Sequence, residues 1–339
     1  MFQKLSQLPK AIQQYLLITV NYWFFTLTDG ALRMLVILHF HQLGYSAIAI
    51  AMLFLFYEVF GVVTNLVGGW LGAKLGLNRT MNIGLVLQVF ALLMLAVPEP
   101  YLSVVYVMVA QALSGIAKDL NKMSAKSSIK TLVAGSDGHK HRQLFKWVAL
   151  LTGSKNTLKG CGFFLGGFLL TLVGFQFSVL LMAMVLAIIA GLSMLLLSRE
   201  LGKAKNKPKF SQIFSKSRTL NYFSAARLCL FAARDVWFVV ALPVYLANQF
   251  LWSHNQVGAF LAGWIIIYGV VQALAPQISG RSKKQAPTAL LMSNWAWALT
   301  FLTFIMLSAL LFFKTAYVVP IGLIFFSVVF AMNSALHSY

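Results

Sequence analysis

Long apolar stretches separated by short polar segments run through the whole of this 339-residue chain. A helix that crosses the hydrocarbon core of a bilayer needs about 20 consecutive, mostly apolar residues. Applied along the chain, this rule predicts an all-α integral membrane protein with ten spans. The predicted spans are 15–40, 47–71, 80–97, 101–125, 147–173, 178–198, 221–247, 255–276, 287–312 and 316–337.

The composition supports this prediction and excludes several other classes of protein. Hydrophobic residues make up 60% of the chain and charged residues 10%, whereas soluble domains carry roughly 25% charged residues. The two cysteines, Cys161 and Cys229, lie far apart inside apolar stretches, so neither a metal site nor thiol redox chemistry is predicted. The sequence contains no GxxxxGKS/T loop, so an ATP-driven pump is not expected, and no cofactor is predicted. It also contains no cleavable signal sequence, and the first helix is expected to remain as a span.

The basic residues are distributed unequally between the two sides of the predicted bundle. The chain has 27 Lys and Arg against 7 Asp and Glu. Connections on one side carry eighteen Lys or Arg, namely two before the first span, then two, four, seven and three after the second, fourth, sixth and eighth spans. The opposite connections carry one, Lys314. The positive-inside rule places the N-terminus in the cytoplasm of a cell inner membrane, and this asymmetry explains the basic charge without a nucleic-acid partner.

A basic segment, 199–220, divides the predicted spans into two groups. Residues 1–198 hold six spans, residues 221–339 hold four, and 199–220 reads as a cytoplasmic linker between the two halves. A plan of two six-helix halves requires twelve spans, so the chain is expected to be incomplete at its C-terminus.

A weak internal repeat indicates that the two halves are related. Asp29 in the first span is followed 17 residues later by Ser46, where the second span begins. Asp235 in the seventh span is followed 18 residues later by Ser253, where the eighth begins. Two related halves joined by a cytoplasmic loop is the plan of secondary transporters with parallel repeats.

Twelve charged residues fall inside the predicted spans, where each basic residue at mid-membrane depth costs about 2.5–3.5 kcal/mol. These residues must therefore face one another, water or a ligand. Four acids can neutralise only four of the eight bases, and the excess favours an anionic substrate, best one with two anionic groups. Substrate binding is predicted for Arg33, Lys118, Lys122, Lys155, Lys159, Arg227 and Arg234, and coupling or gating for Asp29, Glu58, Asp119 and Asp235.

Several of these assignments have an alternative. Lys122, together with Lys126, fits a cytoplasmic helical extension whose lysines reach the membrane surface. Asp29 with Arg33, at i,i+4 spacing, and Arg234 beside Asp235 fit structural ion pairs.

Glu58 has no basic neighbour at helical spacing within its own span. Because burial disfavours the charged form of a carboxyl group, Glu58 is a candidate for proton coupling. The alternative is a protonated carboxyl that is hydrogen-bonded to another helix.

Two glycine motifs resemble those of a known transporter superfamily. The run GGWLGAKLGLNR at 68–79 resembles the signature loop of the major facilitator superfamily, with Ala73 at the position of the usual acid. In the fifth span, Gly153, Gly162, Gly166 and Gly167 resemble its antiporter motif, with Phe163 where proline would stand. Ordinary packing of small residues between helices is the alternative explanation for the second motif.

Whole runs of the chain resemble one branch of that superfamily, the ArsJ organoarsenical efflux permeases. The resemblance implies export of 1-arseno-3-phosphoglycerate, which a partner glyceraldehyde-3-phosphate dehydrogenase makes from arsenate, and hence arsenate resistance. The alternatives are an exporter of another organophosphate or organic anion and, less favoured, a membrane enzyme acting on lipid head groups. A transporter is preferred to an enzyme because no nucleophile with a suitably spaced base stands out. The resemblance rests on residues 21–45, 55–82, 115–130, 151–160, 201–218 and 233–246.

Overall fold

A computed structural model describes residues 10–134, 140–197, 217–238, 241–278, 288–312 and 318–336. These ranges contain helices and turns and no strand, so the all-α prediction is confirmed. The helices are α1 (Lys10–Gln42), α2 (Ala47–Leu53), α3 (Leu55–Leu75), α4 (Leu77–Leu95), α5 (Val104–Ala134), α6 (Lys140–Leu196), α7 (Arg218–Phe238), α8 (Ala241–Phe250), α9 (His254–Ile278), α10 (Ala289–Phe312) and α11 (Val318–Leu336), with a short 3-10 turn at Glu99–Tyr101.

The helices correspond to the predicted spans, with a turn inside α6 and a division within the second span. The fifth and sixth spans are the two arms of α6, which turns back at Gly174, where φ is 74° and ψ is 179°. That backbone conformation is strained for any residue with a Cβ atom, which is why glycine stands there. The second span is divided at Phe54 into α2 and α3, and the seventh falls on α7 and α8, between which 239–240 lie outside the described residues.

Among the described residues, seven helical ranges are long and apolar enough to cross a membrane. One of them, Thr157–Leu196, contains the Gly174 turn and therefore accounts for two crossings. The predicted spans at 101–125 and 221–247 fall outside this set. Both carry charged residues in their interior, which lowers their mean hydropathy.

Two serines begin the helices that the internal repeat assigned to them. Ser46 precedes α2, and its Oγ accepts a hydrogen bond from the Ala49 amide at 3.2 Å. Ser253 precedes α9; its Oγ accepts from the Gln256 amide at 3.4 Å, and its own amide donates to Gln256 Oε1 at 2.8 Å. Both satisfy amide groups that a helix start leaves without a partner. Of the predicted linker 199–220, most lies outside the described residues, and α7 begins within its last residues, at Arg218.

The glycine loop between α3 and α4 serves close packing. A methyl group on Gly68 would lie 3.1 Å from Met123 Sδ on α5, and one on Gly72 would lie 3.0 Å from Leu77 Cδ2. Gly76, with φ of 97°, makes the turn into α4. The Lys74 ammonium lies 4.7 Å from the centre of the Trp70 ring.

Glycines also allow α1 to pack directly on the backbone of α6. A methyl group on Gly162 would lie 2.5 Å from the Leu27 carbonyl oxygen, and one on Gly166 would overlap the Ala31 carbonyl. The third described glycine of the predicted antiporter motif, Gly167, faces α9 instead. The observed role of these residues is therefore close helix packing, and the side-chain environment of Gly153 lies outside the described part of the chain.

Within the described residues, the first arm of α6 also makes the main contact between the predicted N-terminal and C-terminal halves. Gly160 faces Ala262, Gly167 faces the His254 carbonyl, and Gly258 faces the Phe163 carbonyl, each so closely that an added methyl group would lie 2.7–3.1 Å from the neighbouring oxygen. We call Gly160, Gly167 and Gly258 the glycine seam. At the end of α1, Gln42 Nε2 and His254 Nδ1 add a polar contact between the halves at 3.4 Å.

Gly115 holds α5 against α3, and its replacement tests the importance of this crossing. A methyl group there would overlap the Tyr57 carbonyl, so Gly115→Ala is expected to destabilise the protein by about 1–3 kcal/mol. The melting temperature of the detergent-solubilised protein measures this loss. The matched control is Gly191→Ala, because Gly191 is exposed and an added methyl group would meet no atom within 4 Å. Equal melting temperatures for the two variants would contradict the assignment.

Candidate functional site

Charged residues from three helices of the N-terminal half meet at one place. Arg33 on α1 is buried, 5% exposed, and its Nη2 donates to Glu58 Oε1 on α3 at 3.1 Å. The Lys118 ammonium on α5 lies 3.7 Å from the other oxygen of the same carboxylate, Oε2. The Glu58 carboxylate thus lies between two cations that come from two different helices.

A second carboxylate extends the cluster along α5. Asp119 is buried, and its Oδ2 lies 3.8 Å from the Lys118 ammonium. Its Oδ1 accepts a hydrogen bond from Lys122 Nζ at 3.1 Å, an i,i+3 contact on one helix face. Lys118 is therefore shared between the carboxylates of Glu58 and Asp119. Lys122 therefore contacts the cluster through Asp119, and its role in substrate binding stays a prediction.

Tyr57 connects these groups, and the sequence analysis did not select it. Its hydroxyl donates to Asp29 Oδ1 at 2.7 Å. The centre of its ring lies 4.5 Å from Arg33 Cζ and 4.0 Å from Lys118 Nζ, distances at which a ring attracts a cation. One buried aromatic side chain therefore contacts two cations and one carboxylate. The sequence does contain one indication of this role. Tyr57 lies within an apolar span, and a tyrosine hydroxyl that is buried there needs a hydrogen-bond partner.

The pairing differs from the one that helical spacing suggested. Asp29 and Arg33 are near enough to interact electrostatically, but the hydrogen bond of Arg33 goes to Glu58 and that of Asp29 comes from Tyr57. Glu58, which has no basic neighbour in its own span, obtains its two from α1 and α5. The hydrogen bonds of Arg33 and Asp29 therefore go to side chains on α3 and not to each other.

The first arm of α6 adds positive charge next to this cluster. Lys159 interacts electrostatically with Glu58, and its ammonium lies 5.6 Å from the centre of the Phe163 ring. Lys155, one turn earlier on α6, is partly buried. The adjacent Ser154 Oγ accepts a hydrogen bond from Trp23 Nε1 on α1 at 2.8 Å, which fixes this part of α6 against α1.

The remaining predicted site residues are on α7. The helix passes through Arg227, Arg234 and Asp235, but their side chains lie outside the described residues. Their roles in substrate binding and in coupling stay predictions.

The described cluster has an excess of positive charge. Asp29, Glu58 and Asp119 stand against four basic side chains, which are Arg33, Lys118, Lys122 and Lys159. Lysine acts as a point charge and arginine as a planar pair of donors, and both bind carboxylate and phosphate oxygens. The arrangement can therefore accept an anion without an added counter-ion.

Charged side chains enclosed between membrane helices are typical of membrane transporters, in which such residues mark substrate and ion pathways. The chain belongs to one family of that class, the Major Facilitator Superfamily, whose sequence model matches residues 16–339. It is a multi-pass membrane transporter for a small molecule.

Solved transporters share this fold. A mutant of the nucleoside transporter NupG superposes with a TM-score of 0.67 at 15% identity, covering 97% of this chain and 81% of that one. For a bacterial homolog of the human lysosomal transporter Spinster the TM-score is 0.64 at 10% identity, with 95% and 72% covered. For the xylose transporter XylE from E. coli it is 0.62 at 14%, with 96% and 81% covered. No curated protein gives a significant sequence match.

Replacing Tyr57 tests whether it holds the cluster together. Tyr57→Phe removes the donor to buried Asp29 and keeps the ring, so a loss of about 1–3 kcal/mol is expected. Tyr57→Leu also removes both cation contacts and should lower the melting temperature further. Tyr222→Phe is the control, because that side chain is 76% exposed. If Tyr57→Phe melts at the same temperature as Tyr222→Phe, the bond to Asp29 does not stabilise the protein.

Proposed function

We propose that this transporter exports an organic anion with phosphate-like oxyanion groups. The observation that carries the proposal is the excess of cations around one half-exposed carboxylate, with Arg33 and Lys118 both in contact with Glu58. A phosphate monoester carries a charge of about −1.5 to −2 at neutral pH, and the described cluster, with four bases against three acids, supplies an excess of one positive charge toward it. The predicted basic residues of α7, Arg227 and Arg234, would bind a second anionic group from the opposite half.

The specific substrate that we propose is 1-arseno-3-phosphoglycerate, which has oxyanion groups at both ends. It comes from the resemblance to the ArsJ organoarsenical efflux permeases, and it implies supply by a glyceraldehyde-3-phosphate dehydrogenase in the same cell. Outside the cell this labile ester would release arsenate, so the pair would confer arsenate resistance. Pentavalent arsenic in this form is recognised as an oxyanion and needs no cluster of thiolates, in agreement with two cysteines on different helices, Cys161 and Cys229.

Export requires an orientation and a source of energy. The unequal distribution of Lys and Arg between the connections supports an N-terminus in the cytoplasm of the inner membrane. In our proposal the two halves rock about the site in alternating access. Asp29, Glu58, Asp119 and Asp235 would serve as gates or couple the movement to protons.

A second candidate is export of another organophosphate or organic anion. The same cation excess supports it, since the cluster recognises charge and oxyanion geometry rather than arsenic. Two of the solved relatives transport a nucleoside and xylose according to their names, but identities of 14–15% carry the fold alone. An enclosed excess of positive charge favours an anion over such neutral solutes.

Uptake into everted membrane vesicles tests the substrate. Vesicles containing the full chain receive radiolabelled 3-phosphoglyceraldehyde, NAD, the dehydrogenase and arsenate, so that 1-arseno-3-phosphoglycerate forms in place. We expect uptake that requires arsenate and collapses with a protonophore, whereas 3-phosphoglycerate, xylose and uridine serve as comparisons. Uptake of 3-phosphoglycerate without arsenate would favour the second candidate, and uptake of xylose or uridine alone would contradict an anion exporter.

Substitutions of the basic residues test the site. Lys159→Ala and Arg234→Ala should each abolish uptake, because each removes a charge that the substrate would need, while the protein stays in the membrane. Lys74→Ala is the matched control, since Lys74 lies on an exposed turn beside Trp70, away from the cluster. Quantitative immunoblotting of the vesicles corrects for the amount of protein. Normal uptake by both variants would overturn the site assignment.

A further inference from the structure

The Glu58 carboxylate is bound in the way that an oxyanion ligand would be bound. Each of its oxygens contacts a different cation, Oε1 the Arg33 guanidinium at 3.1 Å and Oε2 the Lys118 ammonium at 3.7 Å. The side chain of Glu58 is 53% exposed, whereas those of Arg33 and Lys118 are 5% and 23% exposed. The carboxylate is therefore the most exposed of the three charged groups, and the two cations that it contacts are largely buried.

The two cations have other contacts that hold them in place. Arg33 lies over the Tyr57 ring and also 5.6 Å from the centre of the Phe54 ring. Lys118 lies over the same Tyr57 ring and beside Asp119. None of these contacts involves Glu58. If the Glu58 side chain turned away, Arg33 and Lys118 would still be held on one aromatic side chain, at a spacing that fits the two oxygens of one anionic group.

We propose that Glu58 is a tethered anion that occupies an oxyanion subsite formed by Arg33 and Lys118 and leaves it when a substrate oxyanion binds. The proposal rests on the anion-exporter function above and assigns the half of the substrate that carries a phosphate-type group to the α1–α3–α5 cluster. In the carrier without substrate, the Glu58 carboxylate also serves as a counter-charge to Arg33 and Lys118. Without substrate the two cations share the single negative charge of Glu58, with Asp119 also beside Lys118. With substrate the oxyanion takes the place of Glu58, so neither state leaves the pair of cations without an anionic partner.

Direct binding of inorganic phosphate to the purified full chain tests the displacement. In Glu58→Gln the subsite has no internal competitor, so phosphate should bind roughly tenfold tighter, the factor for a competitor that fills the site about nine-tenths of the time. The matched control is Asp29→Asn, which removes one negative charge one helical turn from Arg33 and keeps the oxygen that accepts from Tyr57. We expect a clearly smaller change in that variant. Equal tightening in both would show a general charge effect and overturn the proposal.

A measurement on the unaltered chain covers the case in which Glu58→Gln fails to fold. Carbodiimide with glycine ethyl ester labels accessible carboxylates, and mass spectrometry reports the extent at Glu58. Saturating phosphate should increase this labelling several-fold, with Glu99, another exposed carboxylate, unchanged as the internal reference. Labelling of Glu58 that stays constant or falls with phosphate would overturn the proposal.

The outcomes separate this inference from the proposed function. Tighter phosphate binding in Glu58→Gln without any uptake of 1-arseno-3-phosphoglycerate would support the tethered anion and reject that substrate. No phosphate binding by the unaltered chain or by either variant would overturn both the subsite and the anion-exporter proposal. Uptake of the organoarsenical with equal phosphate affinity in the unaltered chain and Glu58→Gln would retain the function and reject the role of Glu58.

Discussion

The fold depends on one constraint, which is that a charged side chain within a membrane must be enclosed with a partner. This constraint is met where α1, α3 and α5 come together, since Arg33 and Lys118 share the Glu58 carboxylate and Lys118 also lies beside Asp119. Close approach then requires small residues beside the charges. A methyl group on Gly61 would lie 2.8 Å from Asp119 Oδ2, so the glycine leaves the space that this carboxylate occupies.

Such a cluster contributes little to net stability, since removing charges from water offsets much of their attraction. Its value lies in specificity. The Tyr57 ring and hydroxyl orient two cations and a carboxylate, so the positions of the charges are determined by packing as well as by charge. A site arranged in this way selects a ligand by the spacing of its oxygens, which charge alone does not do.

The sequence was sufficient for the architecture and insufficient for the contacts within it. Apolar length predicted separate spans at 147–173 and 178–198, because a helix that crosses a bilayer needs about 20 apolar residues, and the structure places the turn between them at Gly174. The contact between Asp119 and Lys122 is one that i,i+3 spacing along a single helix allows. Helical spacing carries no information about a neighbouring helix, however, and so could not pair Arg33 with Glu58. Tyr57 carries no formal charge, so the pattern of charged residues within the spans does not point to it.

The glycine seam has a mechanical consequence. Where two helices meet through interlocking side chains, relative movement requires each side chain to leave one groove and enter another. At Gly160, Gly167 and Gly258 backbone faces backbone, so the surfaces are smooth at the scale of a methyl group. At such a contact, α6 and α9 can shift relative to each other with few changes of side-chain rotamer. Larger residues at these positions would interlock, and the two helices could then pack only in a few discrete arrangements.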